Sequence, residues 1–158
     1  TTFAFAADAP LAVGAMAPAP TAKDQDGKAV NFADVYAKGT TLVYFYPKAD
    51  TPGCTKQGCS LRDNWDKLKA KGIQVLGVSG DKPDAQKAFR DKFTFPFVLI
   101  ADDDGKVAAA FGVPELKPGI YKRTSFVVKD GKIAWNMTDK TTTETHADDV
   151  IKAVAELK

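Results

Sequence analysis

Apolar positions along this chain follow two different spacings. Residues 40–46, TTLVYFY, form a nearly unbroken β-branched and aromatic run, the pattern of a strand covered on both faces. Pro47 ends it, because an interior proline would lose a ladder hydrogen bond. Residues 73–79, IQVLGVS, and 95–105, FPFVLIADDDG, repeat the strand pattern. Between these runs the spacing becomes helical. In 54–72, CTKQGCSLRDNWDKLKAKG, residues Leu61, Trp65 and Leu68 fall at i, i+4 and i+7, which predicts one helix with one apolar face. Gly72 is its stop and Gly58 its weak point. Pro83 opens a second helix, DAQKAFRDKF, where its missing N–H is tolerated. KVAAAFGV predicts a short helix, and TSFVVKDGKIAWNM two strands around the turn Lys129–Gly131. Thr21–Lys23 and Lys28–Val30 are short extended segments flanking a polar turn. Val150, Ile151, Val154 and Leu157 give the last segment an apolar helical stripe.

Strands alternating with helices, then a hairpin and a closing helix, predict an α/β domain of thioredoxin-like fold, with a mixed central sheet flanked by helices. The 158 residues suit one core, and we place its domain at 14–158. The Ala/Pro-rich leader 1–13 precedes it. FAFAADA is compatible with the end of a processed export segment and equally with a shortened chain, so cytoplasmic and exported locations both stay open.

Charge narrows the partners. Twenty-two basic and 20 acidic side chains leave a formal charge of +2, without a dense basic block, so a nucleic-acid partner is not expected. No stretch reaches the roughly 18 apolar residues of a spanning helix, so no membrane partner is expected either.

The only two cysteines lie in PKADTPGCTKQGC, residues 47–59, just beyond the first long strand. Cys54 follows a Pro-Gly turn and falls near the first turn of a helix, where unpaired amides and the helix dipole stabilise negative charge on sulfur. Thr51 offers a nearby hydroxyl. Five helical steps rise about 7.5 Å and turn about 500° on a radius of about 2.3 Å, leaving the Cα atoms about 8.6 Å apart. A disulfide needs about 4.4–6.8 Å. An intact helix therefore keeps the pair open, and a bond requires local unwinding. Spacing alone leaves a structural pair, inert core thiols and redox chemistry as alternatives. Two cysteines and the distant His146 do not form a usual metal-ligand set, and the spacing is not CxxC.

Read together, VYFYPKADTPGCTKQGCSLRDNW, DQDGKAVNFADV, LGVSGDKPDAQKAF and GIYKRTSFVVKDGKI resemble the peroxiredoxins. The resemblance is to their Q type, also called bacterioferritin comigratory proteins, and covers nearly everything after residue 13. Pro47, Thr51 and Cys54 match the family's Pro-x3-Thr-x2-Cys motif. The resemblance implies a peroxidase in which Cys54 attacks peroxide, Thr51 positions it, Arg123 supports the sulfur and peroxide, and Pro47 shapes and shields the pocket. It implies that Cys59 resolves the oxidised Cys54 into an intramolecular disulfide. Thioredoxin or another dithiol protein would reduce that bond, no haem, flavin or metal cofactor is implied, and a monomer is expected. A redox-sensing interaction protein switched by the same disulfide is the alternative.

Gly58 and Ser60 stand where relatives commonly carry Ala and Gly, and Pro20 where they often carry a core residue. Lys48 and Asp50 are expected on an exposed loop. Arg62 is expected solvated or paired with Asp66, and Trp65, Phe89, Phe95 and Phe97 in the core. His146 is expected exposed or locally bonded, without a catalytic part.

Overall fold

The computed structural model describes residues 9–157. Its elements are β1 (Thr21–Asp24), β2 (Ala29–Asn31), α1 (Phe32–Ala37), β3 (Thr41–Phe45), α2 (Pro52–Asp63), α3 (Trp65–Ala70), β4 (Gln74–Ser79) and α4 (Pro83–Phe93). There follow β5 (Val98–Ala101), α5 (Lys106–Phe111), β6 (Glu115–Lys117), β7 (Ile120–Tyr121), β8 (Thr124–Lys129), β9 (Lys132–Met137) and α6 (His146–Ala155). Seven strands form the main sheet in the order β2-β1-β5-β4-β3-β8-β9. β3, β4 and β5 are parallel, whereas β8 runs antiparallel to β3 and β1 antiparallel to β5. This is the predicted mixed sheet.

The unbroken apolar run explains the position of β3. Every residue in it is buried, and successive side chains feed opposite faces. Leu42, Tyr44 and Tyr46 join one core with Cys54, Leu61, Leu68, Phe89, Phe95 and Val150. Val43 and Phe45 join the other with Leu76, Val78, Phe111 and Phe126. Trp65 packs against the first core and Phe97 lies within it, as expected. The stripe of α6 also behaves as predicted: Val150 is buried, and Ile151, Val154 and Leu157 pack beside it.

Three features differ from the sequence reading. Helix α1 was not predicted; Asn31 caps it, its side-chain oxygen accepting the Ala33 N–H at 3.0 Å. The helix expected over 54–72 breaks at Asn64 (φ −108°, ψ 16°). Its backbone N–H and its side-chain amide both donate to the Ser60 carbonyl, at 3.2 and 2.8 Å, so a local side-chain bond competes with helix continuation. The β6–β7 hairpin was not anticipated, because its strands are short and β6 is wholly exposed, leaving no alternating pattern to read.

The predicted hairpin is present, with Asp130 and Gly131 at φ 53° and 76° in the β8–β9 turn, the left-handed pair such a turn demands. Pro20 does not prevent β1. Its carbonyl accepts the Phe32 N–H at 3.0 Å, and the strand starts one residue later. Of the leader, residues 1–8 lie outside the described residues. Leu11 packs on the second core, and Gly14, Ala15 and Ala17 bond to the β9 region at 2.8–2.9 Å.

Candidate active site

Strand register gathers the site. Phe45 at the end of β3 stands opposite Thr124 at the start of antiparallel β8, so Arg123 and the loop after Phe45 share one sheet edge. β4 is parallel to β3, with Val78 beside Phe45, which brings Ser79 and Asp81 to the same edge. Asp81 accepts the Ser79 hydroxyl at 2.6 Å and the Ala49 N–H at 2.8 Å, pinning the loop that precedes α2. Buried Tyr46 adds a second anchor, donating its hydroxyl to Gln86.

Within the loop, Pro47 is half-buried, while Lys48 and Asp50 are exposed as expected. Asp50 takes φ 59° and pairs with Lys92 at 3.0 Å. Thr51 is extended at the N-cap of α2 but does not cap it. Its hydroxyl donates to the Lys48 carbonyl at 2.8 Å, which leaves the oxygen lone pairs free to accept another proton.

Cys54 is the third residue of α2 and 1% exposed. Arg123 places Nη2 3.5 Å from its Sγ and donates from Nη1 to Gln57 Oε1 at 2.7 Å. One guanidinium thus sets a fixed positive charge beside the sulfur while a buried amide holds its other arm. Gly53 keeps that approach clear, since a Cβ there would stand 2.9 Å from Nη2. The Arg123 carbonyl accepts the Thr141 hydroxyl at 2.8 Å. Gln57 escaped the sequence reading. Its position three residues after Cys54 puts both on one helix face, the signal that could have found it. Gln57 Nε2 and the Tyr44 hydroxyl are the buried side-chain polar atoms without a partner among the described residues.

Cys59 is half-buried on the same continuous helix, and both thiols are free. The structure therefore brings Cys54 and Arg123 together, with Thr51 and Pro47 in the adjoining loop, and holds Cys59 more than one turn further along α2. Gly58 has a role beyond weakening the helix. It is buried, and a Cβ there would meet the Phe95 ring at 2.5 Å. That ring stacks on Phe97 at 5.2 Å and meets Phe89 edge-on at 4.9 Å. Arg62 pairs with Asp63 at 3.0 Å, not with Asp66, and donates to the Phe93 carbonyl at 2.8 Å.

His146 is locally bonded but not exposed. It has no accessible surface and lies between the Ser125 hydroxyl on Nε2 (2.9 Å) and the Thr142 hydroxyl on Nδ1 (3.1 Å). At the first position of α6 it faces inward, toward the Tyr44 ring. Burial, reinforced by the Arg123 charge and opposed by Asp149, pushes its pKa down to about 4. The imidazole is neutral at pH 7.

A free thiol at the start of a helix, beside an arginine from the residues leading into an adjacent antiparallel strand of a thioredoxin-like sheet, defines a thiol-dependent redox protein. The chain belongs to the AhpC/TSA family, whose model matches residues 13–136. It is 42% identical over 154 residues to peroxiredoxin Bcp of Escherichia coli K12, covering 93% of this chain and 97% of that protein. It is 38% identical over 151 residues to the chloroplastic peroxiredoxin Q of Suaeda salsa, covering 94% and 70%. Among solved structures, peroxidoxin BcpB of Mycobacterium tuberculosis superposes with a TM-score of 0.86 at 29% identity, over 92% of this chain and 97% of the other. Peroxiredoxin Q of Xanthomonas campestris superposes at 0.82 with 27% identity, over 92% and 99%. The resemblance read from the motifs is borne out. The chain is a thiol peroxidase of thioredoxin-like fold, with a peroxide substrate and a thiol reductant.

Proposed function

We propose that this chain is a thioredoxin-dependent peroxidase that reduces hydrogen peroxide and organic hydroperoxides through Cys54 and Cys59. The Cys54 thiolate attacks the terminal peroxide oxygen. The O–O bond breaks as an S–O bond forms, giving sulfenic acid and, with the proton, water or an alcohol. The Cys59 thiol then displaces hydroxide from that sulfur, forming a disulfide and water. Two thiols of the donor protein return the pair to its reduced form.

The single observation that carries the assignment is the Arg123 guanidinium 3.5 Å from the Cys54 sulfur. From there it stabilises both the thiolate and the charge developing on the leaving oxygen. The Thr51 oxygen, its own proton engaged by Lys48, accepts the peroxide O–H, and Pro47 shields the pocket edge. Organic hydroperoxides are included because the bacterioferritin comigratory protein of Xanthomonas campestris is described with alkyl peroxide reduction activity. That protein is 26% identical to this chain, with a TM-score of 0.81, over 91% of this chain and 98% of the other. Resolution within one chain needs no second subunit, which supports a monomer.

Rapid peroxide addition with thiol trapping tests this directly. Cys54→Ser loses the fast reaction, and Cys59→Ser accumulates sulfenic acid at Cys54. Undiminished peroxide consumption by Cys54→Ser overturns the assignment. Multiple turnover with purified thioredoxin, compared with glutaredoxin, tests the donor.

A further inference from the structure

Ser60 enters the sequence reading only as a departure from the family pattern, yet its hydroxyl reaches a residue 87 positions away. The first turn of a helix exposes N–H groups that need acceptors. In α6 the side chain of the N-cap residue, Thr145, accepts none of them and is turned instead to Asp149, to which its hydroxyl donates at 3.1 Å. The Ala147 N–H, in a residue with no accessible surface, donates instead to Ser60 Oγ at 3.0 Å. α6 is therefore capped from another helix, by the residue that follows Cys59. Ser60 is itself buried, and α2 packs against α6 along this contact.

We propose that Ser60 is a positioning residue of the resolving step: its hydroxyl clasps α2 to α6 in the dithiol form and lets go when Cys59 moves to Cys54. Disulfide formation thereby uncaps α6. The proposal rests on the Cys54–Cys59 disulfide described above. On ideal helix geometry the two Cα atoms must approach by about 2 Å or more. A hydrogen bond at 3.0 Å is lost within about 0.6 Å of further separation, and Ser60 is tied to Cys59 by one peptide unit, with Cα atoms about 3.8 Å apart. The clasp opposes opening, since breaking it strips the acceptor from a buried donor. In Ser60→Ala that donor lacks its acceptor already in the closed form, so the open form becomes more accessible.

Stopped-flow oxidation with hydrogen peroxide separates the two steps. In Ser60→Ala the first phase, oxidation of Cys54, keeps its rate. The second phase, disulfide formation, speeds up roughly 5- to 30-fold, and less sulfinic acid accumulates at high peroxide. Ser60→Thr, which keeps the acceptor, restores the second phase toward the wild-type rate. Hydrogen exchange on the unmutated protein gives a readout that does not depend on how the variants fold. The Ala147 amide is protected in the dithiol form and exchanges faster in the disulfide form. If the Cys54–Cys59 disulfide forms but Ala147 protection and the Ser60→Ala second phase are both unchanged, the clasp is overturned while the peroxidase reading stands. If no Cys54–Cys59 disulfide forms, the resolving mechanism itself fails and takes the clasp with it.

Discussion

The two ends of α2 are held by different chemistry. At the Cys54 end a charged guanidinium bridges the sulfur and a buried amide, at 3.5 and 2.7 Å. Around Cys59 the contacts are a glycine under an aromatic ring and one serine hydroxyl, and the charged contact of that end, Arg62 on the Phe93 carbonyl at 2.8 Å, comes from a partly exposed guanidinium that water can reach. Contacts of the first kind favour negative charge wherever it arises beside the guanidinium. Steric packing and a single cap of the second kind can be undone without stranding an ion. The proposed mechanism uses this difference, assigning reactivity to one end of the helix and movement to the other.

Substitutions can break this contrast, beginning at the reactive end. Arg123→Met removes the guanidinium, and the second-order rate with peroxide falls by roughly 10²-fold, measured by competition with a reporter peroxidase. Arg123→Lys restores only part of it, because a single ammonium cannot reach the sulfur and Gln57 Oε1 as a fork. Gln57→Leu frees the guanidinium without removing it. The expected loss is smaller, roughly 10-fold, with the rate of disulfide formation unchanged.

Gly58→Ala probes the mobile end. Alanine favours a helix by about 1 kcal/mol over glycine, but its Cβ would lie 2.5 Å from the Phe95 ring, and overpacking costs about 1–3 kcal/mol. Destabilisation by about 1 kcal/mol is expected in urea unfolding, and Phe95→Leu in the same chain should relieve it. If Gly58→Ala instead stabilises the protein, the glycine matters for helix propensity alone.

His146, which ties the start of α6 to β8 through Ser125, adds a pH dependence. Its folded pKa of about 4 lies below the ordinary 6.5, so below pH 6.5 the unfolded chain binds a proton that the folded chain refuses. Its stability contribution is complete above 6.5 and is lost as pH falls toward 4. The stability difference between wild type and His146→Gln should therefore shrink over that window. A constant difference would show that the imidazole titrates normally.

Much of this was legible in the sequence, where pattern length allowed. The long apolar runs at 40–46 and 73–79 and the stripe from Val150 to Leu157 are each set by burial of a whole element, and each appears where expected. Local spacing singled out Cys54 and Thr51, and the resemblance alone pointed to Arg123, which the fold sets 3.5 Å from the Cys54 sulfur. What escaped depends on long-range geometry. No local period shows that Phe95 fills the space over Gly58, that Ser60 caps α6, or that His146 turns inward. Each depends on a partner brought close only by the completed fold. The break at Asn64 escaped for the opposite reason, as a single side-chain bond acts below the resolution of a periodic pattern.

The central claim is sequential: Cys54 reacts in place, and Cys59 comes to it by opening α2. Amide hydrogen exchange over residues 54–60, compared between dithiol and disulfide forms, tests it most directly. Faster exchange across the segment in the disulfide form is the predicted result, and equal exchange in the two forms would contradict the account.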